Sequence, residues 1–198
     1  MSEFLLEIGT EELPADFARL AVDQLEQIVL RDLKQCRLSH GGIWCSSTPR
    51  RIVLLVKDLA SKALDFEEER KGPPAAQAFK DGLPTQSALG FASRYGLDIE
   101  ALTVQETSKG PFVFGRILDK GAPAIELLTD LIPKWVENLQ GQRFMRWGTG
   151  ELRFPRPVRW LVAMLDESIV PLSLEGCDPK VSTSNLTRGH RLHYGQIA

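Results

Sequence analysis

The chain has 198 residues, of which 43% are hydrophobic and 25% charged, a composition that belongs to folded domains and excludes disordered and collagen-like classes. That length accommodates one domain or two small ones. With 24 Lys and Arg against 26 Asp and Glu the net charge is -2, so no global basic field points to nucleic acid, and any such contact must come from a local patch.

Near the start, Phe4, Leu6 and Ile8 alternate with Glu3, Leu5 and Glu7, the period of two expected of a strand, and Gly9 ends it. After a Thr-Glu-Glu-Leu-Pro loop, Ala18, Ala21, Val22, Leu25, Ile28, Val29 and Leu33 recur at steps of three and four. This spacing predicts a long amphipathic helix, with Pro14 suited to its first turn. Gly41 and Gly42 turn the chain into a pair of strands, 43–45 and 52–56, joined by Ser-Ser-Thr-Pro-Arg-Arg.

The charged run 65–71 leads to Gly72-Pro73-Pro74, where prolines would remove hydrogen bonds from a helix or a central strand. A boundary is therefore expected near residue 72, dividing an α+β subdomain over 1–70 from a second over 71–198. A helix opens at Pro84-Thr85, with Thr85 as cap and Gly96 as stop. Lys109-Gly110-Pro111 precedes a strand over 112–118, and a further helix starts near Pro123, with Pro133 expected to kink or split it. The runs 161–165 and 169–174, separated by Asp166-Glu167-Ser168, suit a hairpin. Strands and helices mix without a strand-helix-strand rhythm, so the expected class is α+β, with mixed or antiparallel sheets packed against helices. The chain stops without a closing element and reads as a truncated segment.

Cys36, Cys45 and Cys177 are odd in number, far apart and in no C-x-x-C pair. That argues against a disulfide framework and a zinc site and fits a reducing cytoplasm. Acidic residues stand where a signal peptide needs a basic flank, and no apolar run approaches the roughly 20 residues of a membrane span. No membrane partner is expected.

No Walker A sequence, G-x-G-x-x-G turn, G-x-S-x-G elbow or H-E-x-x-H pair is present, so no catalytic residue is assigned. His190 and His193 share a helical spacing, but the nearby glycines oppose a helix and no further ligand adjoins them, so no metal site is assigned. Glu7, Glu11 and Glu12 admit a reading as paired carboxylates for acid-base work. The plainer reading is that Glu11 and Glu12 precede a helix start, where the dipole favours negative charge by about 0.3 to 1 kcal/mol.

Positive charge is unevenly placed. Over 143–160 the sequence RFMRWGTGELRFPRPVRW interleaves Arg143, Arg146, Arg153, Arg156 and Arg159 with Phe144, Trp147, Phe154 and Trp160, against the single acid Glu151. Guanidinium groups grip phosphates and aromatic faces stack on unpaired bases; equally, the aromatics can form core while arginine stems cover it. The candidate RNA-contacting residues are Arg50, Arg51, Arg146, Trp147, Arg156, Arg159, Arg188, His190 and Arg191, the last three flanking a glycine that permits close backbone approach.

The combination resembles the β subunit of the bacterial two-subunit glycyl-tRNA synthetase. The blocks that carry the resemblance are Leu5-Leu6-Glu7-Ile8-Gly9-Thr10-Glu11-Glu12-Leu13-Pro14, Thr48-Pro49-Arg50-Arg51, Lys71-Gly72-Pro73, Ala78-Phe79, Gly82-Leu83-Pro84-Thr85 and Gly90-Phe91-Ala92. Lys109-Gly110-Pro111, Met145-Arg146-Trp147-Gly148, Phe154-Pro155-Arg156-Pro157 with Trp160, and Thr187-Arg188-Gly189-His190-Arg191 complete the series. Leu192 stands where that family often has phenylalanine. The resemblance implies the amino-terminal region of a subunit of an α2β2 glycine-tRNA ligase, with later domains, including the anticodon-binding one, absent.

It further implies that ATP, with magnesium, and glycine are handled by the α subunit, so that this segment needs no cofactor of its own. The partners implied are that α subunit and the tRNA for glycine, with no DNA. A fold similar to the B3/B4-type domains of the phenylalanyl-tRNA synthetase β subunit is also implied. Two other roles stay open: a protein-docking scaffold for the α subunit with little RNA contact, and hydrolytic editing of mischarged tRNA. Glycine has the smallest side chain, so larger amino acids are rejected by steric exclusion, which weakens the case for editing.

Overall fold

A computed structural model describes residues 1–189 and the strand at 196–197. It is an α+β fold that divides into two units, one formed by Met1–Leu64 with Ala122–Ala198 and the other by Asp65–Gly121. The division differs from the consecutive subdomains 1–70 and 71–198 expected from the sequence. The chain leaves the first unit at Leu64 and returns to it at Ala122, so the second unit is an insertion. The proline signal misled because Gly72-Pro73-Pro74 lies inside a strand of that insertion rather than at its edge.

In the first unit, β1 (Ser2–Thr10), α1 (Ala15–Gln35), β2 (Gly42–Thr48) and β3 (Arg51–Leu59) come first. In the second, β4 (Phe66–Pro74), α2 (Ala75–Ala78), β5 (Phe79–Lys80), β6 (Leu83–Pro84), α3 (Gln86–Tyr95), β7 (Thr103–Thr107) and β8 (Gly110–Asp119) follow. The first unit resumes with α4 (Ala124–Glu137), β9 (Val158–Leu165), β10 (Ser168–Ile169), β11 (Ser173–Leu174), β12 (Val181–Ser184), β13 (Thr187–Arg188) and β14 (Gln196–Ile197).

The main sheet runs β11-β12-β9-β1-β3-β2, with β10 paired to β9. Only the β12–β9 pairing is parallel among those described. Phe4, Leu6 and Ile8 are fully buried, together with Ile52, Leu54 and Val56 on β3 and Leu161 and Ala163 on β9. This face packs against α1 through Phe17, Ala21, Leu25, Val29 and Leu33 and against α4 through Leu128, Ile132 and Trp135. Each fully buried Leu, Ile or Phe contributes about 1.5 to 3 kcal/mol relative to exposure, so this layer is the principal stabilising feature.

One acid sits inside that layer. Asp32 on α1 is buried and accepts a hydrogen bond from Trp135 Nε1 at 3.0 Å and from Arg31 Nε at 2.8 Å, which compensates both polar groups and ties α1 to α4. Helical periodicity places Asp32 beside Leu33 without revealing its partner. α4 remains one helix through Pro133 rather than splitting, and Leu139 is buried just after its end.

The insertion is a three-stranded antiparallel sheet, β4-β8-β7, with a β5-β6 hairpin. Its strand β4 carries residues 66–71 of the charged run and both prolines, and the ladder shifts register between Lys71 and Pro74, as prolines without an N–H require. The α3 boundaries match the sequence reading: Thr85 Oγ1 accepts from Ser87 N at 3.3 Å, and Gly96 takes the left-handed conformation at φ 63. The buried core here is small, Ala78, Ala88 and Val113, with Phe79, Phe91 and Leu102 packed around it.

Candidate functional site

At one end of the main sheet, three strands and the turns beside them bring together residues far apart in sequence. β1 ends between β3 and β9, with Gly9 opposite Arg51 on one side and Trp160 on the other. A Cβ on Gly9 would overlap the Trp160 indole, so only glycine lets the ring lie flat across the strand. The loop after β1 is fixed by backbone bonds to two turns: Thr10 N to Arg50 O at 2.9 Å, Glu11 N to Pro157 O at 3.0 Å and Leu13 N to Pro49 O at 2.6 Å.

Two carboxylates organise this end. Glu7 is only 7% exposed. Its Oε1 accepts from Trp160 Nε1 at 2.5 Å and from Thr187 Oγ1 at 2.6 Å, while Oε2 faces Arg51 Nη1 at 3.3 Å. Arg51 continues the network by donating to the Arg188 carbonyl at 2.5 Å. With donors on both oxygens, Glu7 is held as an acceptor joining β1, β3, β9 and β13. Glu11 is different: its side chain is 39% exposed, with Oε1 accepting from Arg159 Nε at 2.8 Å and Oε2 3.8 Å from Arg50 Nη2.

The guanidinium groups of Arg50, Arg51 and Arg188 stand 5.9, 5.7 and 5.3 Å from the Trp160 ring centre, within cation-π range. Against four guanidiniums, counting Arg159, stand Glu7 and Glu11, which leaves an excess of positive charge. Arg50 Nε is buried without a hydrogen-bond partner. A groove of about 450 Å³ opens beside them, lined by Glu11, Arg159, Trp160, Lys180, Ser182, Ser184 and Arg188 among others.

Of the residues singled out in the sequence, Arg50, Arg51 and Arg188 are therefore assembled around Trp160, and Arg159 lines the groove beside them, paired with Glu11. Arg146, Trp147 and Arg156 belong to a different setting. Arg146 is exposed and pairs with Glu151 at 3.4 Å. Trp147 packs against the core with its Nε1 buried and unbonded, and Arg156 donates to the Pro155 carbonyl at 2.6 Å. Asp178 anchors their loop, accepting from Thr149 N at 2.7 Å and Thr149 Oγ1 at 2.9 Å; these bonds hold its carboxyl below the ordinary range. His190, Arg191 and His193 lie outside the described residues.

The aromatic half of the 143–160 pattern is largely core. Phe154 is fully buried and meets Phe17 edge-on with ring centres 5.4 Å apart, and Phe144 meets Phe17 at 5.6 Å. Trp160 is 7% exposed, so its ring is closed to base stacking. Sequence reasoning missed Thr187, Lys180, Ser182 and Ser184, whose residue types carry no spacing signal. It also passed over the buried role of Glu7, whose signal was an acid in the middle of an apolar strand.

Among the described residues no three His, Cys, Asp or Glu side chains are grouped to hold a metal ion. Burial pushes the Cys45 thiol up to about 12, with Glu26 adding to it, and burial alone pushes Cys177 up to about 11. Both are protonated at neutral pH and are poor nucleophiles. No described helix is long and apolar enough to cross a membrane.

The profile of the family described as glycyl-tRNA synthetase beta subunit matches residues 4–198. The chain belongs to that family. It is 47% identical to the glycine-tRNA ligase beta subunit of Trichodesmium erythraeum over 98% of its length and 27% of the relative. It is 46% identical to that of Picosynechococcus over its whole length and 28% of the relative, and 38% identical to that of Geobacter metallireducens over 99% and 28%. The chain thus spans just over a quarter of the curated relatives it matches. The family is one of aminoacyl-tRNA synthetases.

Proposed function

We propose that this chain is a tRNA-contacting and assembly region of a glycine-tRNA ligase, working in the cytoplasm with an α subunit that forms the glycyl-adenylate from glycine and ATP with magnesium. The observation that carries the RNA reading is the gathering of Arg50, Arg51 and Arg188 from two separate segments onto one tryptophan, beside an open groove that Arg159 and Arg188 line.

Each arginine has a distinct part in this reading. Arg51 is committed to Glu7 and the Arg188 carbonyl and keeps the cluster in shape. Arg159 and Arg50 both pair with the partly exposed Glu11, an exchangeable contact of about 0 to 1 kcal/mol, while Arg50 also stands over Trp160. A phosphate oxygen approaching through the groove competes with Glu11 for these two donors, while Lys180, Ser182 and Ser184 supply further donors along the wall. Because Trp160 is covered, recognition here is of the phosphate backbone rather than of stacked bases.

One observation favours the alternative of a docking scaffold for the α subunit: Arg51 and Arg159 already have carboxylate partners within the chain. The two readings separate in a titration with the tRNA for glycine. Arg159→Ala and Arg188→Ala are expected to weaken binding and Glu11→Gln to strengthen it, with the α subunit absent. A scaffold would leave all three titrations at the wild-type value and lose α-subunit affinity instead.

A further inference from the structure

The face of the main sheet that carries Glu7 and Gly9 is turned away from α1 and α4. Strict alternation along β1 sends Phe4, Leu6 and Ile8 into the core, and Leu5, Glu7 and Gly9 to the opposite face. Residues directly opposed on antiparallel strands share a face, so the register defines rows across the sheet. One row reads Thr48, Arg51, Gly9 and Trp160, and the next Ser46, Val53, Glu7 and Val162. The third reads Trp44, Leu55, Leu5, Met164 and Ile169, across β2, β3, β1, β9 and β10.

That third row is apolar from end to end. Trp44 is 56% exposed and Ile169 40%, and Leu5, Leu55 and Met164 are half-buried. None of the five is part of the buried core or among the side chains packed against it. An antiparallel sheet with one wet face normally carries polar residues there. A continuous apolar row across five strands, about 19 Å at the usual spacing between strands, instead marks a surface that another protein surface covers.

We infer that the Trp44–Leu55–Leu5–Met164–Ile169 row is the docking face for an apolar surface of the β-subunit polypeptide that lies outside the segment described here. Two observations favour that occupant. First, β13 already lies on this face, where Thr187 bonds Glu7 and the Arg188 carbonyl bonds Arg51, so the chain itself crosses the two rows next to the apolar one. Second, the matched segment is only 27% to 28% of the relatives, whose remaining polypeptide supplies a covalently linked partner at high effective concentration. The row carries no cation to attract phosphate, in contrast to the Arg51 row, so RNA is not its match.

Hydroxyl-radical footprinting reads this directly, because Trp44 and Met164 are oxidisable side chains in the row. At equal radical dose, both are expected to be oxidised in the 198-residue chain. In a complete β subunit containing this segment both are expected to be protected by about fivefold or more, as for side chains in a water-excluded interface core, and addition of α subunit or tRNA should leave that protection unchanged. Equal oxidation in the chain and in the complete subunit overturns the inference. So does protection that arises only when the α subunit, or only when the tRNA, is added. The outcome is independent of whether the arginine cluster binds RNA.

Discussion

Glu7 and Glu11 stand four residues apart and each meets arginine, yet they belong to different physical regimes. Glu7 is buried, accepts from Trp160 and Thr187 and faces Arg51; removing it would strand donors from three other strands. Glu11 is partly exposed and meets Arg159 and Arg50 where water reaches the pairs. An acid-arginine pair is architecture where it is desolvated and part of an exchangeable surface where it is not.

The largest effect expected of that contrast is at Glu7. Glu7→Ala should cost about 3 kcal/mol or more of unfolding free energy, because it leaves buried donors unpaired, read as a fall in the urea midpoint. Glu11→Ala should change the unfolding free energy read from the same titration by less than about 1 kcal/mol. Equal costs for the two would erase the distinction. Gly9→Ala probes the same buried arrangement without touching charge: displacement of Trp160 should cost about 1 to 3 kcal/mol and shift the tryptophan emission to the red.

On the exposed side, Arg159→Ala should leave the urea midpoint within about 1 kcal/mol of wild type while weakening tRNA binding. A large loss of stability would move Arg159 into the architectural class with Arg51. The smallest effect concerns pH. The Asp178 carboxyl is lowered by its bonds from Thr149, so its contribution is complete above the unfolded value of about 3.9 and is lost as pH falls through the lower folded value. The stability difference between wild type and Asp178→Asn should therefore be constant from neutral pH down to about 4 and shrink below it; a difference that grows on acidification would reverse the assignment.

Much of the helical layer was legible in the sequence, because Ala18, Ala21, Leu25, Val29 and Leu33 repeat at helical spacing and Thr85 and Gly96 are local end signals. The insertion was not, since the charged run that opens it reads as a loop leading to a proline boundary, whereas β4 keeps those charges on an exposed strand. In the candidate site the arginines of the Pro-Arg-Arg turn and of the 143–160 run could be named one by one. The meeting of Arg50, Arg51 and Arg188 on Trp160 depends on β1 lying between β3 and β9, a long-range pairing that no local pattern encodes. The same pairing decides that Trp160 is buried while its neighbour Arg159 remains outside.

The most direct test is the salt dependence of tRNA binding by this chain, wild type beside Arg159→Ala. The account predicts that log affinity falls linearly with log salt concentration, and that the slope is shallower by about 0.7 to 0.9 in the variant, the increment for one lost phosphate contact. Binding that is insensitive to salt, or identical slopes for the two proteins, would contradict it.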